Sequence, residues 1–176
     1  MSSNEFDNFI KHQATKTISH NIFERKEGWL NQIDNLYARV LEILDPYIKS
    51  GNITTFTKKI SIHEELLGSY EVDSLCIDIG STDLQFRPIG TYLFGSPGRI
   101  DLTGKRDSIR FVLAQPNDVR ATIRIISGEE AERTTTKPPL HISTFVWKIS
   151  TTPPNIKYVE ITDEALTKAI MQATNG

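Results

Sequence analysis

The spacing of hydrophobic and polar positions changes once along the chain. Before residue 50, apolar residues recur at helical spacing, and from Ile53 onward they alternate with polar residues. The first spacing is typical of an amphipathic helix and the second of a half-buried strand. The pattern therefore predicts an α+β protein with a long N-terminal helical arm over residues 1–51. A β-rich core with one C-terminal helix follows over residues 52–176, and arm and core form a single structural domain.

The helical arm carries a heptad-like seam. Gly28 and the polar cluster at residues 19–21 are candidate break points, so we expect one kinked helix or two helices, ending near Pro46 and residues 50–52. The seam is too short to distinguish docking on the chain's own sheet from pairing with another chain. Two interleaved series recur every seven residues, interrupted by Lys26: Ile22, Trp29, Leu36 and Ile43, and Ile33, Val40 and Tyr47.

Consecutive hairpins are predicted over residues 84–127. Runs rich in β-branched and aromatic residues alternate there with turn sequences at 96–99, 104–107 and 116–118. Pro97 followed by Gly98 favours a type II turn, in which the glycine adopts a positive φ. One face of these strands is apolar, and the other is mixed and bears arginines, as expected of an antiparallel meander.

Flanking runs extend this meander to a mostly antiparallel sheet of about seven to eight strands. A change of apolar parity near Asp73 predicts a β-bulge. Residues 140–150 are apolar on both faces and predict a central strand, whereas residues 128–139 lack large apolar side chains and predict a mobile loop. The further strands are expected at residues 53–62, 70–79, 140–150 and 156–161.

The chain closes with a predicted helix that packs on the sheet. Thr162 is a good N-cap, and the acidic Asp163 and Glu164 suit the positive end of the helix dipole. The apolar stripe that would face the sheet consists of Leu166, Ala169, Ile170 and Ala173.

A charged row is predicted across the sheet. A symmetric turn at residues 104–107 places Asp101 opposite Arg110, and a three-residue turn around Asn117 places Arg110 opposite Arg124. Arg99 and Arg120 extend this arginine-bearing face. Three interpretations stay open: a solvated ion-pair ladder, a surface covered by the helical arm or a partner, and a surface that contacts phosphates.

Composition and net charge limit the kinds of binding partner and the cellular compartment that the sequence predicts. The 20 basic and 22 acidic residues give a net charge of -2, so no overall field attracts nucleic acid or an anionic membrane. The single cysteine, Cys76, excludes an internal disulfide and is expected to be a small buried thiol. Neither a secretory signal nor an apolar run that could span a bilayer is present in the sequence. We therefore expect a soluble cytoplasmic protein.

The sequence lacks a recognisable set of catalytic or metal-binding residues. Its four histidines are scattered, and no cofactor or metal is expected. The alternative of a small metal-dependent hydrolase or nuclease-like enzyme requires that hairpins bring carboxylates together, namely those of Glu64, Glu65, Asp73, Asp78 and Asp101.

The interpretation that best fits these patterns is an intracellular, non-enzymatic protein–protein interaction module or accessory subunit. It would bind another protein, or a second copy of itself, through the helical arm and one sheet face. A nucleic-acid-binding module that uses the arginine-bearing face is a third hypothesis. Tryptophan and arginine are favoured in interaction surfaces. The candidate surface residues are Trp29, Leu36, Tyr47, Arg99, Asp101, Arg110, Arg124 and Trp147.

Overall fold

A computed structural model describes the backbone at residues 3–91, 96–120 and 141–175, with side chains except at 3–5, 9, 13–19 and 175. A long helix precedes seven strands, and a short helix ends the chain. The elements are α1 (Ser3–Lys49), β1 (Ile53–Glu64), β2 (Gly68–Ile79), β3 (Thr82–Gly90), β4 (Arg99–Thr103), β5 (Ser108–Ala114), a 3-10 turn (Ile142–Thr144), β6 (Val146–Ser150), β7 (Tyr158–Glu160) and α2 (Asp163–Asn175).

The seven strands form one open antiparallel sheet in which sequence neighbours are also spatial neighbours, in the order β1 to β7. The predicted α+β fold with a meander sheet is therefore confirmed, with a strand count at the lower end of the expectation. Beyond Arg120 the predicted strand lies outside the described residues, and so does the predicted loop at 128–139.

The neighbour of β5 differs from the prediction. Arg110 pairs with Ser150 on β6, so Arg124 is not its cross-strand neighbour. After β5 the chain turns away, because Lys148 Nζ donates to Pro116 O at 2.6 Å and to Asp118 O at 2.8 Å. The side of β5 that the next predicted strand was expected to occupy is filled by a strand from later in the chain.

The chain after this turn reaches β7 instead. Tyr158 N donates to Val119 O at 3.0 Å, and Arg120 forms an isolated antiparallel bridge with Lys157. Arg120 is thus separated from β5 by β6 and β7. The predicted arginine-bearing face therefore contains Arg99 and Arg110 but does not continue to Arg120.

Helix α1 is continuous from Ser3 to Lys49, so of the two expected alternatives, one kinked helix or two helices, the chain forms a single helix. Gly28 serves close packing: a Cβ atom there would collide with the side chain of Ile142 in the 3-10 turn. Pro46 also lies inside the helix, which closes when Asn52 N donates to Tyr47 O at 3.0 Å. In the described part of the chain, no helix is long and apolar enough to cross a membrane.

The core lies between one sheet face and the two helices. From Trp29 to Leu44, one side of α1 is buried against the chain's own sheet, and α2 buries all four residues of its predicted stripe. Thr162 Oγ1 accepts a hydrogen bond from Ala165 N at 3.1 Å, as expected of an N-cap. Core residues from α1 are Trp29, Ile33, Leu36, Tyr37, Val40, Ile43 and Leu44.

The turn before β4 is not the predicted type II turn, because Gly98 does not have a positive φ. Packing explains the glycine instead. A Cβ atom at Gly98 would lie 2.6 Å from the Trp29 ring and 2.8 Å from Leu113. Ser96 Oγ donates to Gly98 O at 2.7 Å and lies 2.9 Å from Leu113 O, which holds this segment against β5.

The predicted bulge near Asp73 does not interrupt the ladder between β1 and β2, whose register is continuous from Ile53 to Glu64. Along β2, buried residues occupy even positions up to Ser74 and odd positions from Leu75 onward. This change occurs where the β2–β3 pairing ends, at Leu75 and Phe86. There Ser74 Oγ donates to Phe86 O at 2.8 Å. The two strands separate at this point, so the parity changes without an extra residue.

Candidate functional site

The outer face of the sheet, which is turned away from α1 and α2, carries a charged cluster at its centre. Asp101 on β4 lies opposite Arg87 on β3 and Arg110 on β5. Arg99 precedes Asp101 by two residues and therefore lies on the same face. The pairing of Asp101 with Arg110 confirms the predicted register. We call Arg87, Arg99, Asp101 and Arg110 the arginine cluster.

Within this cluster, Arg99 and Asp101 form a two-pronged ion pair. Arg99 Nε donates to Asp101 Oδ1 at 2.7 Å, and Nη2 donates to Oδ2 at 2.6 Å. This planar arrangement matches the guanidinium to the carboxylate and is among the stronger charged contacts. It raises the pKa of Arg99 above its ordinary value, the hydrogen bond to Asp101 being the main cause. Asp101 is only 8% exposed, so its charge is both buried and compensated.

The remaining two arginines of the cluster are exposed. Within the described part of the chain, Arg87 and Arg110 make neither a hydrogen bond nor an ion pair. Since Arg99 and Asp101 neutralise each other, the cluster presents two uncompensated positive charges on the same sheet face. Such guanidinium groups are well suited to hold a carboxylate or a phosphate.

Two concavities adjoin this cluster along β3. One, of about 470 Å³, is lined by Ile60, His63, Arg87, Pro88, Ile89 and Asp101. The other, of about 440 Å³, is lined by Phe56, Cys76, Asp78, Asp83, Gln85 and Lys105. Thr103 borders both, so we treat them as one outer groove between the β1–β2 hairpin and β4.

The chemistry changes from one end of the outer groove to the other. Along β3, the inward residues Leu84, Phe86 and Pro88 are buried, and the outward column reads Asp83, Gln85, Arg87 and Ile89. At one end Asp78 lies directly opposite Asp83, and Lys105 lines the same end, so two carboxylates and one ammonium group give it a net negative charge. At the other end Ile60 and Ile89 provide an apolar wall. The groove is thus acidic, then basic, then apolar.

Cys76 lines the acidic part of the outer groove. It is a free thiol and is half-buried, whereas the sequence predicted a buried thiol. Burial is the main cause that raises its pKa above the ordinary value, so the protonated thiol is favoured. A raised pKa disfavours the thiolate that a nucleophilic cysteine requires.

A second polar cluster lies where the end of the β1–β2 hairpin meets β3. Glu64 is only 8% exposed. Its Oε1 accepts from Tyr70 Oη at 2.5 Å, and its Oε2 accepts from Thr91 N at 2.7 Å and Thr91 Oγ1 at 3.0 Å. Arg25 Nη2 donates to Thr91 O at 2.8 Å and joins α1 to this cluster. A carboxylate with so many donors is suited to fixing the hairpin against the helix.

The carboxylates of the hydrolase alternative are not gathered in one place. Asp73 pairs with Lys59 at 2.9 Å, Asp101 pairs with Arg99, and Glu64 belongs to the buried cluster. In the regions for which side chains are described, no three residues among His, Cys, Asp and Glu are grouped so that they could hold a metal ion. These described carboxylates therefore offer no metal centre for that alternative.

The beginning of α1 is a different kind of surface. Every described side chain from residue 6 to residue 24 is exposed, apart from a half-buried Ile22. Large apolar side chains are among them: Phe6 is 61% exposed, Ile10 50% and Phe23 57%. We call residues 3–24 the exposed arm.

Of the predicted surface residues on α1, Trp29 and Leu36 are buried in the chain's own core, at 0% and 1% exposure. Their placement on an interaction surface is therefore corrected: the sheet already covers this side of the seam. Tyr47, at the far end of the helix, is 49% exposed. Trp147 is half-buried, with its ring centroid 5.9 Å from that of Trp29 and Nε1 donating to Gln32 O at 2.7 Å. Arg124 lies outside the described residues.

The sequence reasoning missed Arg87 and the exposed apolar residues of the arm. Arg87 alternates with the buried Phe86 and Pro88, and this alternation in the sequence predicts that Arg87 lies on the outer face. Its position opposite Asp101 was not readable, because the β3–β4 register shifts between Pro88 and Gly90. No protein-family model matches the chain, and neither a curated protein nor a solved structure is detectably similar to it.

Proposed function

We propose that the chain is a non-enzymatic protein–protein interaction module, an accessory subunit that engages its partner through the exposed arm. One observation carries the proposal: α1 runs for 47 residues, but among its described side chains full burial begins at Trp29. At 1.5 Å per residue, the 22 residues of the arm form about 33 Å of helix. The chain's own sheet buries none of the arm's described side chains.

The composition of the arm supports a missing partner. Isolated helices of this length are marginally stable in water even when they are rich in alanine. The arm contains Asn4, Asn8 and Asn21, which are weak helix formers. His20 and Glu24 form an i,i+4 contact at 3.1 Å, and an exposed pair of this kind contributes only a few tenths of a kcal/mol. Packing of the apolar side chains against a partner would supply the stabilisation.

The apolar residues of the arm are suited to such packing. Covering a phenylalanine or isoleucine side chain fully contributes about 1.5–3 kcal/mol. Phe6 and Ile10 are four residues apart and therefore neighbours on the helix surface. Phe23 lies near the other end of the arm. At about 3.6 residues per turn, Phe23 is rotated about 100° from Phe6 around the helix axis, so the two sites face different directions and suit a partner that contacts the arm on more than one side.

The test is a double variant of the arm. Phe6→Ser with Phe23→Ser should abolish co-purification of a stoichiometric protein partner from the native host, or reduce the mass measured by light scattering if the partner is a second copy. Melting temperature should stay within a few degrees, because both side chains are exposed. Asn8→Ser with Asn21→Ser is the matched control, since it changes exposed residues of the same arm without removing apolar surface.

The outcomes separate clearly. A partner or an assembly mass retained by the Phe6→Ser, Phe23→Ser variant would contradict the proposal. Loss of the partner in the asparagine control as well would also contradict it, because recognition would then depend on the polar side chains of the arm rather than on its apolar ones.

A further inference from the structure

We infer that the outer groove binds an extended peptide segment with an acidic side chain, whose carboxylate is held between Arg87 and Arg110. The inference rests on the proposed function as an interaction module and names the chemistry of a second contact with the partner. It is carried by the arginine cluster and by the order of charges along β3.

The cluster is arranged to receive a carboxylate. Neighbouring strands lie about 4.8 Å apart, so the Cα atoms of Arg87 and Arg110, two strands apart, are separated by about 10 Å. Two arginine side chains with this separation can converge on one carboxylate above Asp101. Asp101 does not compete for them, because both of its oxygens are bound by Arg99.

The groove is arranged to receive an extended chain. Side chains on one face of an extended peptide repeat every second residue, about 6.6 Å apart, which is also the spacing of the outward column of β3 from Asp83 to Arg87; Ile89 follows at the register shift and lines the same concavity as Arg87. A peptide beside β3 with its carboxylate at Arg87 would therefore bring its side chain two residues away to Ile89 and Ile60. In the opposite direction, the side chain four residues away would reach Asp83 and Asp78.

The order of chemistry along the groove thus gives a sequence pattern for the ligand. The acidic residue should have an apolar residue two positions to one side and a basic residue four positions to the other. The apolar residue meets the wall of Ile60 and Ile89, and the basic residue meets the opposed carboxylates of Asp78 and Asp83. The pattern is read in one or the other chain direction, depending on the orientation of the peptide.

A nucleic acid fits the groove less well. A phosphate backbone that contacts Arg87 and Arg110 would next meet Asp78 and Asp83, whose two negative charges exceed the single positive charge of Lys105 there. Stacking of successive bases requires neighbouring aromatic rings, and of the described residues lining the groove only Phe56 and His63 have one, in separate concavities. A single carboxylate flanked by apolar and basic side chains matches the order of charged and apolar residues along the groove.

The experiment measures binding of labelled nine-residue peptides to the full chain by fluorescence anisotropy at low ionic strength. The probes are S-K-S-T-S-E-T-L-S, the same peptide in reversed order, and versions in which the glutamate is replaced by glutamine. We expect one orientation to bind and its glutamine version to bind about tenfold or more weakly, since a charge-assisted contact is lost. Replacing the leucine by serine should also weaken binding.

Protein variants test the same site from the other side. Arg87→Gln with Arg110→Gln should weaken the glutamate peptide about tenfold or more and largely remove the difference between the glutamate and glutamine peptides. Both arginines are exposed, so the variant should fold normally. Arg106→Gln is the matched control, because it removes an exposed arginine from the turn after β4, whereas Arg110 lies directly opposite Asp101 in the arginine cluster.

Several results would overturn the inference. They are the absence of binding by either orientation at millimolar peptide, equal binding of the glutamate and glutamine peptides, or an equal loss in Arg106→Gln. Salt-sensitive binding of a single-stranded oligonucleotide that the double variant loses, with no peptide binding, would assign the groove to nucleic acid instead. If peptide binding fails while the arm variant still loses its partner, the proposed function stands and only this inference is lost.

Discussion

The two parts of α1 use their apolar residues in opposite ways. From Trp29 to Leu44 the apolar side chains are buried against the sheet, whereas Phe6, Ile10 and Phe23 in the exposed arm are at least half exposed. The helix itself does not change, because it is continuous through both parts. What differs between the two parts is the neighbouring structure: among the described residues, the sheet and the 3-10 turn pack against the second part. An apolar stripe thus predicts that one face of a helix packs against something, but it does not identify the element or partner that packs there.

The largest difference in stability between the two parts of α1 is expected for a substitution at Trp29. This side chain is fully buried, lies against Trp147 and is fitted closely by Gly98. Trp29→Ala should lower the free energy of unfolding by about 3–5 kcal/mol, because it removes a large buried side chain and leaves a cavity. Phe23→Ala, in the exposed arm, should change it by less than about 0.5 kcal/mol. Urea unfolding followed by circular dichroism checks both values.

A similar loss of stability in the Phe23→Ala variant would show that the arm packs on the core of its own chain. An unchanged Trp29→Ala variant would remove the basis for the buried part of the comparison. Trp29→Phe serves as a graded control and should cost less than the alanine substitution, since it preserves most of the ring contacts.

Gly28 marks the point where the two parts of α1 meet. In an exposed helix, replacing glycine by alanine stabilises by about 1 kcal/mol. At Gly28 the new methyl group would collide with Ile142, so we expect Gly28→Ala to destabilise by about 1–3 kcal/mol through overpacking. In an Ile142→Ala background the same substitution should become neutral or stabilising, because the collision is gone. Unfolding of the four proteins of this double-mutant cycle measures the coupling.

Absence of coupling between positions 28 and 142 would contradict the account of Gly28 as a packing glycine. It would return Gly28 to the role of a break point in the helix, as the sequence had suggested. Asn21→Ala, seven residues earlier and exposed, is the control for helix propensity alone and should stabilise by a few tenths of a kcal/mol or have no effect.

Tyr37 links the buried part of α1 to the place where β2 and β3 separate. Its hydroxyl lies 2.9 Å from Asp73 O and 3.0 Å from Phe86 O. Burial is the main cause that raises the pKa of Tyr37 well above its ordinary value, and burial followed by the hydrogen bond to Glu64 does the same for Tyr70. A pKa raised by folding stabilises the folded state below the unfolded pKa of about 10 and loses that contribution at higher pH.

Stability should therefore fall as the pH rises beyond about 10, by up to about 1.4 kcal/mol per pH unit for each of these two tyrosines. Tyr37→Phe should have a shallower decline between pH 10 and pH 11.5, measured by urea unfolding at each pH. Tyr47→Phe, which removes an exposed phenol from the same helix, is the control. Parallel declines in the wild type and in Tyr37→Phe would contradict the coupling of this phenol to folding.

Where the sequence succeeded, the information was local. The stripe and N-cap of α2 lie within twelve residues, and the pairing of Asp101 with Arg110 depends only on the turn between β4 and β5. Where the sequence-based prediction was wrong, the structure depends on residues that are distant in the chain. The second neighbour of Arg110 is Ser150, forty residues later. Gly98 looked like a turn residue, but its environment is set by Trp29, far back in the chain.

The candidate site shows the same division. Three of the four members of the arginine cluster follow from the short β4–β5 hairpin, namely Arg99, Asp101 and Arg110, whereas the position of Arg87 depends on a register shift that no local pattern reveals. The heptad-like seam correctly predicted that one face of α1 is buried, but it could not identify what that face packs against. Trp29 and Leu36 were therefore assigned to an interaction surface, whereas they pack against the sheet. Alternation identifies faces, whereas neighbours depend on the whole topology.

The smallest effect is expected in the arm itself. Asn8 is exposed and far from the buried part of α1, and alanine has the higher helix propensity. Asn8→Ala should leave global unfolding unchanged within about 0.5 kcal/mol, because a helix that the core does not cover contributes little to the core's cooperative unfolding. It should nevertheless slow amide hydrogen exchange at nearby arm residues, because the local helix becomes more stable. Hydrogen exchange that stays unchanged in the arm, together with a raised global stability, would place the arm within the cooperative core and would remove the distinction between the two parts of α1.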